Sequence, residues 1–271
     1  MIIMIPILNR LPIFGKRRID TCRQLIKNIA LQMINQRKHD LTRATCKRSD
    51  LLDLLLTAHG ENKEQKFTDD EVSDEAITFI IAGHETTAIV ITWTLYNLVT
   101  NPDVYQQCQN EVDSVLNENE ELTARTISLL TYTEAVLKET LRYHHPALVF
   151  FRTAIVDNTL VASDGKQIYI PKGTDVMIHL NIMNSSEKYW DEPNKFNPAR
   201  FLEGHSPVTF PFGLGPRTCI GQNFAVLESI IILALLLHRF HFELVPGQKI
   251  VLSSAGLARP KHGVSMRIWP R

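Results

Sequence analysis

Thr68-Asp-Asp-Glu71 opens an apolar-periodic segment that nothing breaks until Asn101-Pro102, and this segment constrains the fold more than any other feature of the chain. A threonine N-cap and a glutamate three residues on satisfy each other's free backbone N–H groups, so the helix start is specified locally. Proline specifies the end. About 32 residues rising about 1.5 Å each make a rod of roughly 48 Å, long enough to cross a whole domain. Helical spacing also marks 20–38 and 49–58, joined by a basic linker at 42–49. Pro102 starts a further helix reaching about residue 117. Thr131, with Glu134 three residues later, opens another that ends before Pro146.

After Pro146 the period changes. Segments 152–162, 167–170 and 175–180 are β-branched and separated by Asp164-Gly165 and Pro171-Lys172-Gly173, which predicts one small antiparallel sheet. Residues 187–218 are rich in proline and glycine without periodicity, and a long irregular stretch in a compact chain is usually functional. A last helix at 222–239 and a closing strand pair complete a mainly α chain with small antiparallel β-sheets.

The 271 residues carry 29 Lys+Arg against 29 Asp+Glu, which excludes a nucleic-acid binder driven by a basic excess. At 44% hydrophobic and 21% charged residues, the composition excludes a disordered tail. Cys22, Cys46, Cys108 and Cys219 form no C-x-x-C pair, so neither a zinc site nor a disulfide framework is indicated, and a reducing compartment is the default. The apolar N-terminus is broken by Pro6, Asn9 and Arg10 too early for a span of about 20 residues. Ile230 to Leu237 reads as a buried helix, so no transmembrane segment is expected. An apolar start without a cap or a strand pattern suggests an internal piece of a longer protein.

The irregular stretch ends in Phe212-Gly213-Leu214-Gly215-Pro216-Arg217-Thr218-Cys219-Ile220-Gly221, directly before the last helix. A cysteine at a helix N-terminus meets free N–H donors and the positive end of the dipole, which favour its thiolate. Gly213 and Gly215 let the loop bring backbone amides near the sulfur. Gly221 removes a side chain where the helix meets something flat, and Arg217 adds a fixed charge. This assembly suits a soft metal ligand given from one face of a planar cofactor, with thiolate-ligated haem the candidate. Taken alone, Cys219 also reads as a buried structural cysteine beside a glycine turn.

Phe, Gly, Arg, Cys and Gly at these spacings occur by chance on the order of 10⁻⁷ per starting position. The segment resembles the cytochrome P-450 family of haem-thiolate monooxygenases, whose loop reads F-x-x-G-x-R-x-C-x-G. The resemblance implies heme b, with Cys219 as axial ligand and metal-binding residue. It also implies that Arg217 sits on a propionate and that Phe212, Gly215 and Gly221 shape the loop. Glu139-Thr140-Leu141-Arg142 matches the family's E-x-x-R pair, which read alone is a surface i,i+3 contact. In the family this pair is buried with an arginine from a P-E-R-F segment. Here Pro198-Ala199-Arg200-Phe201 keeps Arg200 and replaces the acid by Ala199. Ala82-Gly83-His84-Glu85-Thr86-Thr87 matches the family's A-G-x-E/D-T-T segment, which bulges over the haem. Ala82 and Gly83 would thus make room for dioxygen, and Glu85 and Thr86 would be the catalytic acid–alcohol pair that delivers protons. Arg152 matches a second propionate arginine. Phe79, Ala147, Leu148, Val149 and Leu257 would line the substrate pocket. His144 and His145 read as positively charged caps at a helix end.

The resemblance runs from about residue 6 to the C-terminus and looks nearest to eukaryotic microsomal members. It implies a partial P-450 domain over 1–271, the C-terminal portion from the oxygen-activating helix through the haem loop and last helix. The absent N-terminal half would carry the membrane anchor, much of the sheet and the substrate roof. The implied function is insertion of one oxygen atom of O2 into an apolar small molecule, with electrons from NADPH-cytochrome reductase, at the endoplasmic reticulum membrane. Membrane association would come only through the missing part, since the chain has no anchor of its own by this reading. Two alternatives stay open: a reductase-independent haem-thiolate isomerase or dehydratase, and a haem-binding remnant without turnover. The intact Glu85-Thr86 pair argues against the first.

Overall fold

The computed structural model describes residues 16–42, 50–61, 67–116, 122–202, 209–254 and 256–271. The linker at 43–49, Cys46 and the apolar N-terminal run lie outside the described residues. The chain divides into two compact units, residues 1–84 and residues 85–271.

In the first unit α1 (Lys16–Thr42) and α2 (Leu51–Glu61) meet the start of α3 (Asp69–Thr100). Ile34, Leu56 and Val72 form its small core. Arg37 draws Asp50 (2.8 Å) and Asp53 (2.6 Å) onto α1. The Thr68 cap forms as its sequence requires. The Thr68 N–H donates to Glu71 Oε2 at 2.7 Å, and the Glu71 N–H donates to Thr68 Oγ1 at 3.3 Å. The helix that follows is 32 residues long.

The second unit holds the rest of α3, then α4 (Pro102–Val115), α5 (Ala124–Ile127), α6 (Thr131–Tyr143), α7 (Leu180–Asn184) and α8 (Gln222–Arg239). Its core is built from Leu98, Cys108, Val112, Val136, Leu137, Leu233 and Leu237, with Phe242 from the closing strands. Burial pushes the Cys108 thiol up to about 12, so it packs as a neutral apolar group. The sequence places the α6 cap on Thr131 and Glu134, and the structure corrects this. Glu111 on α4 reaches across and accepts from the Tyr132 N–H and the Thr133 N–H, both at 2.7 Å. Glu134 instead pairs with Lys138 at 2.7 Å. A carboxylate from a neighbouring helix offers both oxygens to two free donors, which a residue inside the first turn cannot do.

The single sheet expected after Pro146 is two separate antiparallel ladders. β1 (Val149–Thr153) pairs with β4 (Asp175–His179), and β2 (Asn158–Val161) pairs with β3 (Gln167–Ile170). The Ala154 N–H on the Thr174 carbonyl, at 2.9 Å, continues the β1–β4 pairing by one residue, and a bend at 155–156 opposite a turn at 172–173 then interrupts it. At the C-terminus β5 (Phe240–Leu244) pairs with β8 (Met266–Pro270), and β6 (Leu252–Ser253) with β7 (Arg259–Pro260). By length and composition α3 and α8 are each apolar enough to cross a membrane, a property the sequence reading did not assign to them. In α8 that apolarity goes into the core through Ile230, Leu233, Ala234 and Leu237.

His144 is the C-cap of α6, its N–H on the Thr140 carbonyl, but burial disfavours a positive charge on it and on His145. His144 lies on the Trp93 ring, centroids 4.0 Å apart and planes 9° from parallel. Burial, with Arg142 adding repulsion, pushes its imidazole down to about 4. Burial also lowers His145. The unfolded chain takes up a proton at each imidazole near pH 6.5, and the folded chain resists until His144 reaches about pH 4. Stability is therefore fully present above about pH 6.5 and falls as pH drops toward 4. Replacing His144 by Phe should flatten that fall, measured as the urea midpoint against pH.

Candidate active site

Glu139 and Arg142 lie on one face of α6 and are 0% and 2% exposed. Arg142 Nε donates to Glu139 Oε2 at 2.7 Å, and Nη2 donates to Oε1 at 2.8 Å. Arg200, on the short 3₁₀ turn Pro198–Phe201, adds its Nε to Oε1 at 3.3 Å, and the Asn197 N–H adds a fourth bond at 2.9 Å. The remaining guanidinium donors gather carbonyls of the irregular segment. Arg142 Nη1 takes Asn184 (2.8 Å) and Pro193 (3.0 Å), and Arg200 takes Asp191 (2.5 Å) and Glu192 (2.9 Å). Glu192 sits at φ 44°, a left-handed conformation uncommon outside glycine. Ala199 stands at the position of the usual acid, and the cluster is complete without one because Arg200 itself reaches Glu139.

The segment then runs into the cysteine loop. Gly213 and Gly215 adopt φ 77° and 76°, the left-handed region where a side chain is strained. These turns let the Cys219 N–H reach the Phe212 carbonyl at 2.8 Å, closing the loop. Phe212 packs on the core behind it. Gly221 is the N-cap of α8, so Cys219 lies just ahead of the helix. Cys219 is a free, exposed thiol, which excludes the buried structural role. Arg217 is exposed beside it. Large apolar residues around the thiol are exposed as well: Leu214 at 68%, Ile220 at 87% and Phe224 at 68%. A thiol donor, a guanidinium and an open apolar surround together fit a flat apolar macrocycle that carries carboxylates.

β1 starts next to this loop: a Cβ on Gly213 would lie 3.8 Å from the Phe150 ring. Residues two apart on a strand share a face, so Arg152 is on the face that Phe150 turns to the loop. Arg152 is exposed, with Nη1 on the Phe151 carbonyl at 2.8 Å. Ala147, Leu148, Val149 and Leu257 are half-buried. His145, which the sequence reading set aside, links two of these regions. Its Nδ1 accepts the Ala147 N–H at 3.0 Å and its Nε2 is 2.7 Å from the Pro211 carbonyl, which fixes the neutral tautomer with the proton on Nε2.

On α3, Phe79 is half-buried and Ala82 and Gly83 are exposed. Glu85 and Thr86 are half-buried and Val90 is buried. The helix runs through Gly83 from Asp69 to Thr100. Among the described residues nothing comes within 4 Å of a Cβ placed on Gly83, so no packing forces the helix out of register. Glu85 is bound by Arg259 at 2.9 Å. No local signal could have announced that pair, because 174 positions separate its members.

The sequence profile of the cytochrome P450 family matches residues 1–267. The chain belongs to that family of haem-thiolate monooxygenases, which implies heme b held by a cysteine thiolate. It is 32% identical over 235 residues to cytochrome P450 3A11 of Mus musculus, covering 83% of this chain and 46% of the relative. It is 35% identical over 253 residues to Protein LUTEIN DEFICIENT 5, chloroplastic, of Arabidopsis thaliana, covering 84% and 40%. A crystal structure of a cytochrome P450 (CYP102L1) superposes with TM-score 0.84 at 27% identity, over 96% of this chain and 60% of that one. The chain thus spans about half the length of the curated relatives it matches, and the fold is that of the C-terminal portion of a P450.

Removing one partner of a buried ion cluster leaves the others uncompensated, at a cost of about 3–5 kcal/mol. Glu139→Ala should therefore lose folded, haem-loaded protein outright, read as haem per polypeptide. Normal haem content in that variant would refute the structural weight given to the cluster.

Proposed function

We propose that this chain carries the haem-ligating and proton-delivering parts of a monooxygenase that inserts one atom of O2 into an apolar small molecule. The observation that carries this reading is the exposed Cys219 thiol, closed into its loop by Phe212 and set among exposed apolar residues and Arg217. Bound heme b supplies the redox chemistry that activates O2. Cys219 holds the iron through Sγ, and the loop's backbone bonds keep that sulfur in one place. Arg217 and Arg152 bind the propionates by charge-assisted hydrogen bonds. Ala82 and Gly83 present almost no side chain, which leaves room beside α3. Ala147, Leu148, Val149 and Leu257, all in the second unit, give the substrate an apolar wall, so an apolar organic compound is the substrate class.

Glu85 and Thr86 hold and pass protons to the site of oxygen reduction, a service typically worth roughly 10²–10⁴ in rate. Residues 1–271 act as part of one P450 domain. Electrons come from NADPH-cytochrome reductase, and the working location is the endoplasmic reticulum membrane, as for microsomal members. Both assignments come from the resemblance to microsomal members; the plant relative's name places that protein in the chloroplast.

Two experiments test the reading. Cys219→Ser should abolish the strongly red-shifted Soret band of the ferrous–CO complex, while Cys22→Ser and Cys108→Ala should keep it. A retained band in the Cys219 variant would end the assignment. Thr86→Ala should leave haem content and CO binding unchanged but divert electrons to hydrogen peroxide, so that product formed per NADPH falls severalfold. An unchanged yield would make Thr86 a packing residue, or the reaction one that needs no delivered protons.

A further inference from the structure

Arg259 sits on β7 opposite Ser253 of β6, two residues past Leu257. Its Nη1 donates to Glu85 Oε1 at 2.9 Å. The backbone that carries Arg259 is fixed without the help of that bond. Ala258 is buried, its N–H donates to the Pro146 carbonyl at 2.7 Å, and its carbonyl accepts the Trp93 Nε1–H at 3.2 Å. Trp93 lies on α3 about two turns beyond Glu85, so the hairpin is pinned to the helix that bears the acid. The two side chains of the pair are 54% and 44% exposed. An ion pair as open as this adds little to folding stability. What it does set is where the Glu85 carboxylate points.

We propose that Arg259 is a positioning residue for Glu85. It holds the acid against the hairpin whose tip carries Leu257, and so ties the pocket wall to the group that passes protons. The inference rests on the proton-carrying role given to Glu85 above. Neither the length of α3 nor the haem loop depends on this contact.

The test is a double-mutant cycle in the haem-loaded protein with Arg259→Met, Glu85→Gln and both together, plus Arg259→Lys as the conservative variant. Arg259→Met should keep haem content, the ferrous–CO band and the thermal midpoint, and lower product per NADPH severalfold. Arg259→Lys should restore most of that loss. Glu85→Gln should cause a similar loss, and the double variant should lose no more than either single one, because one acts through the other. A second measurement needs no turnover. In the apo protein, the ¹³C resonance of the Glu85 carboxyl, assigned by its disappearance in Glu85→Gln, should move in Arg259→Met and return in Arg259→Lys. Wild-type yield in Arg259→Met alongside a loss in Glu85→Gln would overturn the inference and leave the role of Glu85 standing. Additive losses, or an unmoved resonance, would also overturn it. Wild-type yield in Glu85→Gln would remove the proposed role of Glu85, and the inference with it.

Discussion

The Glu139 carboxylate is the point on which the stretch from residue 184 to residue 202 depends. Four hydrogen bonds converge on its two oxygens, from Arg142, Arg200 and the Asn197 amide. With the negative charge met, both guanidiniums are free to spend their other donors on the carbonyls of 184, 191, 192 and 193. A stretch rich in proline has few backbone donors with which to build a ladder, so its carbonyls need side-chain partners. Arg142, which is buried, and Arg200, which is half-buried, supply them. Arg142 also lies over the Trp190 ring at 5.1 Å, so the same charge anchors the apolar packing of that stretch. The cluster fixes the stretch that precedes the cysteine loop in the chain, and the Phe212 carbonyl closes that loop.

The loop is held by its own backbone and by its neighbours. The Phe212 carbonyl accepts the Cys219 N–H, the Phe212 ring packs on the core and His145 binds the Pro211 carbonyl. Leu214, Ile220 and Phe224 stay exposed, although residues of that size are costly to leave in water. A rigid loop with an uncovered apolar rim is organised for a ligand and not for its own packing. Trp93 plays the matching part on α3, stacking on His144 and holding the Ala258 carbonyl, so that one indole joins the end of α6, the β6–β7 hairpin and the long helix.

Local chemistry explains why some elements were legible in the sequence and others were not. Thr68 and Glu71 are three residues apart, so their mutual cap needs no knowledge of the fold, and α8 begins and ends at Gln222 and Arg239 as its pattern indicates. The α6 cap was misread because its acid, Glu111, comes from another helix. His144 and His145 were misread as charged because position at a helix end was weighed without burial, which reverses the sign of the effect. The split between the β1–β4 and β2–β3 ladders falls at the turn that Pro171-Lys172-Gly173 announces, opposite a bend at 155–156 that the β-branched Ile155 and Val156 do not announce.

The sequence by itself determined the mainly helical character of the chain, the long α3, the haem-loop motif around Cys219 and the E-x-x-R pair on α6. Each of these is written within ten residues or in a single repeated period, and backbone geometry alone converts such spacing into position. Tertiary structure decided which charges meet. Arg200 reaches Glu139 across 61 positions, and Arg259 reaches Glu85 across 174. It also decided that Cys219 is open while Cys108 is buried, although both are cysteines in or beside helices. Burial and long-range pairing belong to the packing of elements, and a sequence read along its length carries no measure of them.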